Sequence, residues 1–289
     1  MLSTFSIVAA DPGEREIGIA VQSKFLAVGA VVPWAESKAG AIATQAWANT
    51  SFGPRALELL RAGEPPELIV QTLIGHDENA DDRQFGIVDA EGRSATFTGA
   101  RCIDWAGGVS GENFAAQGNC LAGPSVVSAM AETFRSGRGH LAGRLVAALA
   151  AGQREGGDKR GQQSAALLVL KPGGGYGGFN DRYVDLRVDD HATPIDELAR
   201  LLQLHELYHF PAAPSDVLRI DDALGREIVA QLVRVGALAP RDGCYDDAAH
   251  DALVAFMHVE NLENRVRADR TIDRQTLDYL RAFSPKHTG

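Results

Sequence analysis

Thr4-Phe-Ser-Ile-Val-Ala-Ala-Asp11-Pro12-Gly13, followed by Ile17-Gly-Ile-Ala-Val-Gln-Ser23-Lys24 and Phe25-Leu-Ala-Val-Gly29, is the stretch whose reading decides the fold. Two short runs rich in Ile and Val are split by a turn signal at Asp11-Pro12-Gly13, the pattern of a β-hairpin. The first strand opens on Thr4. A hydroxyl at the head of a sheet, near the start of the chain, suggests a nucleophile whose own α-amine serves as base. It equally suggests a threonine that merely starts a strand, which its β-propensity favours.

Working outward, Ala30-Val-Val-Pro-Trp34 reads as the end of a strand leaving this sheet, and Gly40-Ala-Ile-Ala-Thr-Gln45 as another short strand. Asn49-Thr50-Ser51 then precedes a helix with Pro54 in its first turn and Gly63 at its end. Pro65-Pro66-Glu67 opens a second helix, and His76 to Asp82 is a loop. Gln84 to Asp89 and Ser94 to Thr98 flank Glu91-Gly92 as a second hairpin. Helices follow from about Pro124 to Phe134 and from Leu141 to Ala151. Gln162 to Leu170 is a buried strand by its length and boundaries, and Tyr183 to Val188 an alternating one. Grouped strands and grouped helices, without a βαβ repeat, predict antiparallel sheets covered by helices. Pro194 to Tyr208 is helical, Phe210-Pro-Ala-Ala-Pro214 is a linker by composition, and three helices follow acidic cap candidates: Asp222 to Val235, Asp247 to Val259 and Asp273 to Phe283. The expected domains are residues 1–209 and 210–289.

Composition excludes several function classes. A net charge of −10 repels phosphate backbones, so no nucleic-acid partner is expected. Cys102, Cys120 and Cys244 are widely spaced and form no CxxC, which argues against a disulfide framework or thiolate zinc site and for a reducing cytoplasm. No basic segment followed by an apolar core marks a signal peptide. No run reaches the roughly 20 apolar residues of a membrane helix.

Several phrases resemble a known family. They are Phe5-Ser-Ile-Val-Ala, Gln22 to Gly29, Gly40 to Gln45, Gly161-Gln-Gln-Ser-Ala-Ala and Gly177 to Asp190. Together they are similar to the bacterial and archaeal family catalogued as domain of unknown function 1028, over roughly residues 4 to 205. That family is grouped with the N-terminal-nucleophile hydrolases, so the resemblance implies a four-layer αββα sandwich; it does not by itself imply an activity. Leu232 to Leu238, Tyr245-Asp246, Ala252 to Phe256, Asn261-Leu262 and Asp273 to Leu277 resemble a peptidoglycan-binding domain, a small helical bundle.

The hydrolase grouping also implies a site. Thr4 would be the nucleophile, supported by Ser23 or Lys24 on the next strand. A polar residue near the first helix, Gln45 or Asn49, would come close. Asp158 and Ser164 would approach from the loop and strand after a helix, and Asn119 would reach the same sheet end. Three residues precede Thr4, so a free amine there needs cleavage after Ser3. Lys24, a charge within an apolar strand pair, reads either as a wet-face residue or as an active-site partner. Asn49 reads also as an N-cap, and Asp158-Lys159-Arg160 as a solvated loop.

Three further motifs invite chemistry. His205-Glu206-Leu207-Tyr208-His209 spells HExxH, which on a helix places two histidines on one face for zinc with Glu206 as base. A proline-containing linker one residue later, at Phe210-Pro211, and the lack of a third ligand other than Glu227 favour a chance match. Asp181, Asp185, Asp189 and Asp190 lie near His191, but alternating carboxylates usually face solvent, so no metal and no cofactor are expected. Gly173 to Gly178 lacks the order of a phosphate loop and reads as a β-turn. Three functions therefore stand at this point: an amide-bond hydrolase using Thr4, a non-catalytic protein binding a ligand or peptidoglycan fragment, and a zinc peptidase. The expected partner is a small amide, peptide or peptidoglycan fragment. A cytoplasmic homodimer without membrane contact completes the expectation.

Overall fold

The computed structural model describes residues 4–284. The chain divides into two compact units, Met1–Leu202 and Gln203–Gly289.

The first unit holds strands β1 (Thr4–Asp11), β2 (Glu16–Ser23), β3 (Pro33–Glu36) and β4 (Gly40–Ala46), helices α1 (Phe52–Arg61) and α2 (Pro66–Gly75), and strands β5 (Arg83–Asp89), β6 (Ser94–Thr98), β7 (Gly107–Gly111) and β8 (Phe114–Gly118). Helices α3 (Ser125–Ser136) and α4 (Leu141–Arg154) and strands β9 (Ser164–Leu170) and β10 (Arg182–Val188) follow, and the division falls within α5 (Pro194–His209). Two antiparallel sheets form, ordered β10-β9-β2-β1-β8-β7 and β3-β4-β5-β6. The opening hairpin is thus the centre of the larger sheet.

Alternation builds the layers. In β1 and β2, Val8, Ala10, Ile17, Ile19 and Val21 face Ala41, Ala43 and Val88 of the other sheet, making the inner core. The outer face of the smaller sheet, with Ile42, Phe85 and Ile87, is covered by Phe52, Ala56, Ile69 and Leu73 of α1 and α2. On the larger sheet, α4 lies against β1 and β2, and α3 against β8. The result is the expected αββα sandwich. Close approach decides single residues: a Cβ on Gly53 would lie 2.2 Å from the Trp34 indole, so glycine lets α1 sit on β3.

Two sequence readings change. The run at residues 30–34 does not leave the first sheet as its last strand. From Pro33 it begins β3, paired with β4 in the other sheet. β7 and β8 had no counterpart in the sequence reading. Gly107-Gly-Val-Ser-Gly111 has too few large side chains to show a period, and pairing with β8 makes it a strand.

The second unit has α6 (Asp222–Arg234), α7 (Asp247–Val259) and α8 (Arg274–Ala282), with a short ribbon of β11 (Val217–Arg219) and β12 (Thr271–Asp273) added to the expected three helices. All three acidic caps form: Asp221, Asp246 and Asp273 accept from backbone N–H groups of the first turns. Ile228, Leu232, Leu253, Phe256, Leu277 and Leu280 fill its core. Arg265 and Asp273 form a buried ion pair at 2.7 Å. The same guanidinium donates to the carbonyls of Glu206, Leu207 and Phe210, satisfying the end of α5.

Candidate functional site

Antiparallel register aligns four of the expected residues in one row at the end of the larger sheet. Thr4 pairs with Ser23, Ser23 with Ser164, and the Asn119 backbone N–H donates to the Thr4 carbonyl at 3.0 Å. Thr4 shares its face with Val8 and Ala10, and Ser23 with Ile19 and Val21, so both hydroxyls point between the sheets. The Thr4 hydroxyl donates to Ser23 Oγ at 3.1 Å.

The opposite sheet supplies Gln45 and Gln84. Gln45 Nε2 donates to the Thr4 carbonyl at 3.2 Å and to Gln84 Oε1 at 2.8 Å. Ser6 Oγ donates to Gln45 Oε1, and Gln117 Nε2 to Ser6 Oγ, each at 2.7 Å. Asn119 Nδ2 reaches Gln84 Oε1 at 2.8 Å, while Gln84 Nε2 reaches the Gly118 carbonyl at 2.7 Å and Thr98 Oγ1 at 2.9 Å. Thr4, Ser6, Ser23, Gln45, Gln84, Gln117, Asn119 and Ser164 are all fully buried. Gly86 makes room: a Cβ there would lie 2.0 Å from Gln117 Oε1. Sequence reasoning missed Ser6, Gln84 and Gln117. The available signal was a polar amide on the inward parity of an otherwise apolar strand.

The remaining expected residues are elsewhere. Lys24 does not sit beside Thr4. It is exposed, and its ammonium donates to the Gln162 carbonyl at 3.2 Å. The reason is the pleat: Ser23 takes the inward position, and the chain bends directly after it. Asp158 is not a solvated loop residue but a buried staple. Its carboxylate accepts from the backbone N–H groups of Lys24 and Arg160 and pairs with the Arg160 guanidinium at 2.7 Å. Ser164 stands in the row, yet its hydroxyl accepts from Val28 N at 3.0 Å and donates to the Phe25 carbonyl. Asn49 donates to Asp77 at 3.0 Å and receives Ser51, away from Thr4's partners. Arg83 and this amide hold the Asp77 carboxyl well below the usual carboxylate range.

No amine, imidazole or carboxylate hydrogen-bonds the Thr4 hydroxyl among the described residues; its partner is another hydroxyl. Among the described residues, a hydroxyl so placed has no hydrogen-bonded group to take its proton near neutral pH. The α-amine of a processed Thr4 would be such a group. Cleavage after Ser3 concerns residues 1–3, outside the described residues.

The HExxH histidine rings lie against each other, centroids 4.6 Å apart and planes tilted by 52°. Among the described residues no group of three or more His, Cys, Asp or Glu could hold a metal. Glu227, the third-ligand candidate, is held by Arg281 at 2.7 Å. Of the acidic cluster, Asp185 pairs with Arg182 and Arg187. The glycine-rich segment is the β9–β10 turn, closed by Asp181 accepting from Gly173 N.

A different site lies in the helical unit. Tyr208, Phe256, Glu260, Tyr279 and Phe283, with the small residues Ala252 and Gly236, line a groove of about 720 Å³. Helical spacing aligns Phe256 with Glu260 and Tyr279 with Phe283, four residues apart in each pair. The Tyr279 hydroxyl donates to Glu260 Oε2 at 2.8 Å. Burial first, and then Glu260, push the Tyr279 phenol well above its ordinary pKa.

Residues 4–198 match the family of unknown function DUF1028. Residues 210–280 match a family described as "Putative peptidoglycan binding domain". Among solved structures, the crystal structure of a DUF1028 protein from Silicibacter pomeroyi is similar with a TM-score of 0.65 and 35% identity, over 73% of this chain and 92% of that chain. No curated protein matches. No helix among the described residues is long and apolar enough to cross a membrane. The chain belongs to the DUF1028 family.

Proposed function

We propose that this member of the DUF1028 family binds fragments of peptidoglycan, and that its helical unit is the part that binds. One observation carries the reading: the unit whose sequence matches a peptidoglycan-binding domain also holds an open aromatic groove, within the size range of ligand sites. In the sandwich unit the polar groups near Thr4 are buried and bonded mainly to one another. A scaffold role suits them better than catalysis.

The test is sedimentation of the full-length protein with purified peptidoglycan sacculi, followed by titration with soluble muropeptides. Saturable binding is expected, with Tyr279→Ala weakening it at least fivefold. Absence of binding to both forms would remove the reading.

Amide hydrolysis from Thr4 is the second reading. It has one observation in its favour: Thr4, Ser23 and Asn119 share one row, and Gln45 reaches the Thr4 carbonyl. It requires a chain cut before Thr4, giving an amine within reach of the hydroxyl. Intact mass gives the answer cheaply. A mature chain starting at Thr4, whose amidase activity vanishes in Thr4→Ala, would put this reading first.

A further inference from the structure

We infer that the groove of the helical unit selects an alkylammonium group, such as the side chain of a diamino acid in a peptidoglycan stem peptide, over a sugar ring. The inference rests on the binding reading above and names the part of the ligand that is recognised. Glu260 is the one charged side chain among the groove's described lining residues. Its bond from the Tyr279 hydroxyl orients one carboxylate oxygen and brings no counter-charge. No ion pair to Glu260 is found among the described residues.

Around that carboxylate stand aromatic rings in mutual contact. Phe256 and Phe283 meet edge to face at 5.2 Å, Tyr279 lies 5.9 Å from Phe283, and Phe256 lies 6.4 Å from Tyr279. Ring faces attract cations, and a primary ammonium on a methylene stem matches both parts of this lining. The stem packs on the rings and the charge meets Glu260. A sugar needs several hydrogen-bond partners; the polar side chains of this lining are Glu260, the Tyr208 and Tyr279 hydroxyls and Ser284, and the Tyr279 hydroxyl is already bonded to Glu260. A free carboxylate or phosphate would be repelled.

The experiment is an NMR titration of the full-length protein with three probes. These are Nα-acetyl-lysine methylamide, its neutral analogue Nα-acetyl-norleucine methylamide, and tri-N-acetylglucosamine. The lysine probe is expected to bind at least tenfold more tightly than either of the others, and to weaken with added salt. Glu260→Gln keeps an acceptor for Tyr279 and should bring the lysine probe to the norleucine level. Ala255→Lys, on an exposed lining residue, places a competing ammonium at the groove and should abolish lysine binding without disturbing the fold. Equal binding of lysine and norleucine probes, preference for the glycan, or indifference to both substitutions would overturn the inference. The two readings fail separately. Sacculus binding without amine preference removes only this inference. Amine preference without sacculus binding supports the groove chemistry and removes peptidoglycan as the ligand.

Discussion

The layer between the two sheets holds buried amides and hydroxyls among aliphatic side chains, the groove of the helical unit a carboxylate among aromatic ones; both invite chemistry, and they differ in what their polar atoms have left to bond. Between the sheets, Gln45, Gln84, Gln117 and Ser6 spend their amide and hydroxyl groups on each other and on backbone carbonyls. In the groove, the Glu260 carboxylate accepts from one neutral partner, the Tyr279 hydroxyl, and is only half-buried. A buried polar group must be satisfied within the fold, because leaving it unmade costs more than the bond gains. A half-buried one can keep capacity for a ligand. Polar residue type alone therefore does not mark a site; unmet capacity beside open space does.

Substitutions can break or sharpen this contrast. The largest effect is expected inside the sandwich. Gln84→Leu takes one partner each from the Gly118 carbonyl, the Asn119 amide and the Gln45 amide inside a buried layer, and should cost about 4 kcal/mol. Urea melts would measure it, and the lysine probe should still bind. A loss near zero would mean the amide network is not what joins the sheets. Arg265→Met comes next, since it leaves the buried Asp273 carboxylate without its ion-pair partner and removes a donor from three carbonyls; about 3 kcal/mol is expected in the same melts.

A smaller, pH-dependent effect belongs to Asp77, a satisfied carboxylate to set against Glu260. Its folded pKa is depressed, so its contribution is present above the unfolded carboxylate value of about 4 and fades as pH falls through the folded one. Asp77→Asn should cost about 2 kcal/mol at pH 7 and less at pH 3, the gap narrowing in acid. A gap that widened instead would reverse the assigned sign. The smallest stability effect is expected in the groove. Tyr279→Phe removes one half-buried hydroxyl and should cost about 1 kcal/mol or less. Affinity for the lysine probe should nevertheless fall severalfold, because Glu260 loses its orienting bond.

Much of the architecture was legible locally. The opening hairpin, α1 to α4 and the acid-capped helices carry their own turn, cap and periodicity signals. β7 did not, because glycine and serine leave no pattern to read. The candidate site was legible only by row. Thr4, Ser23, Asn119 and Ser164 do meet at one sheet end, but Lys24 and Asn49 do not join them. In sequence, Lys24 adjoins Ser23 and appears equally placed. One step along a strand reverses the face, and parity counted from a strand end whose position is not yet known cannot assign it.

By itself, the order of residues determined the alternation of β1 and β2, the starts of the helices and the kinship of both units, since each depends on neighbours within a few positions. Tertiary packing alone decided which hydroxyl meets which amide, and which ring meets Glu260. Gln45, Gln84 and Gln117 come from three strands in two sheets, and Tyr208, Phe256 and Tyr279 from three helices. Such meetings depend on register and on the stacking of layers, and no local period encodes the distance between residues that touch only after the chain has closed on itself.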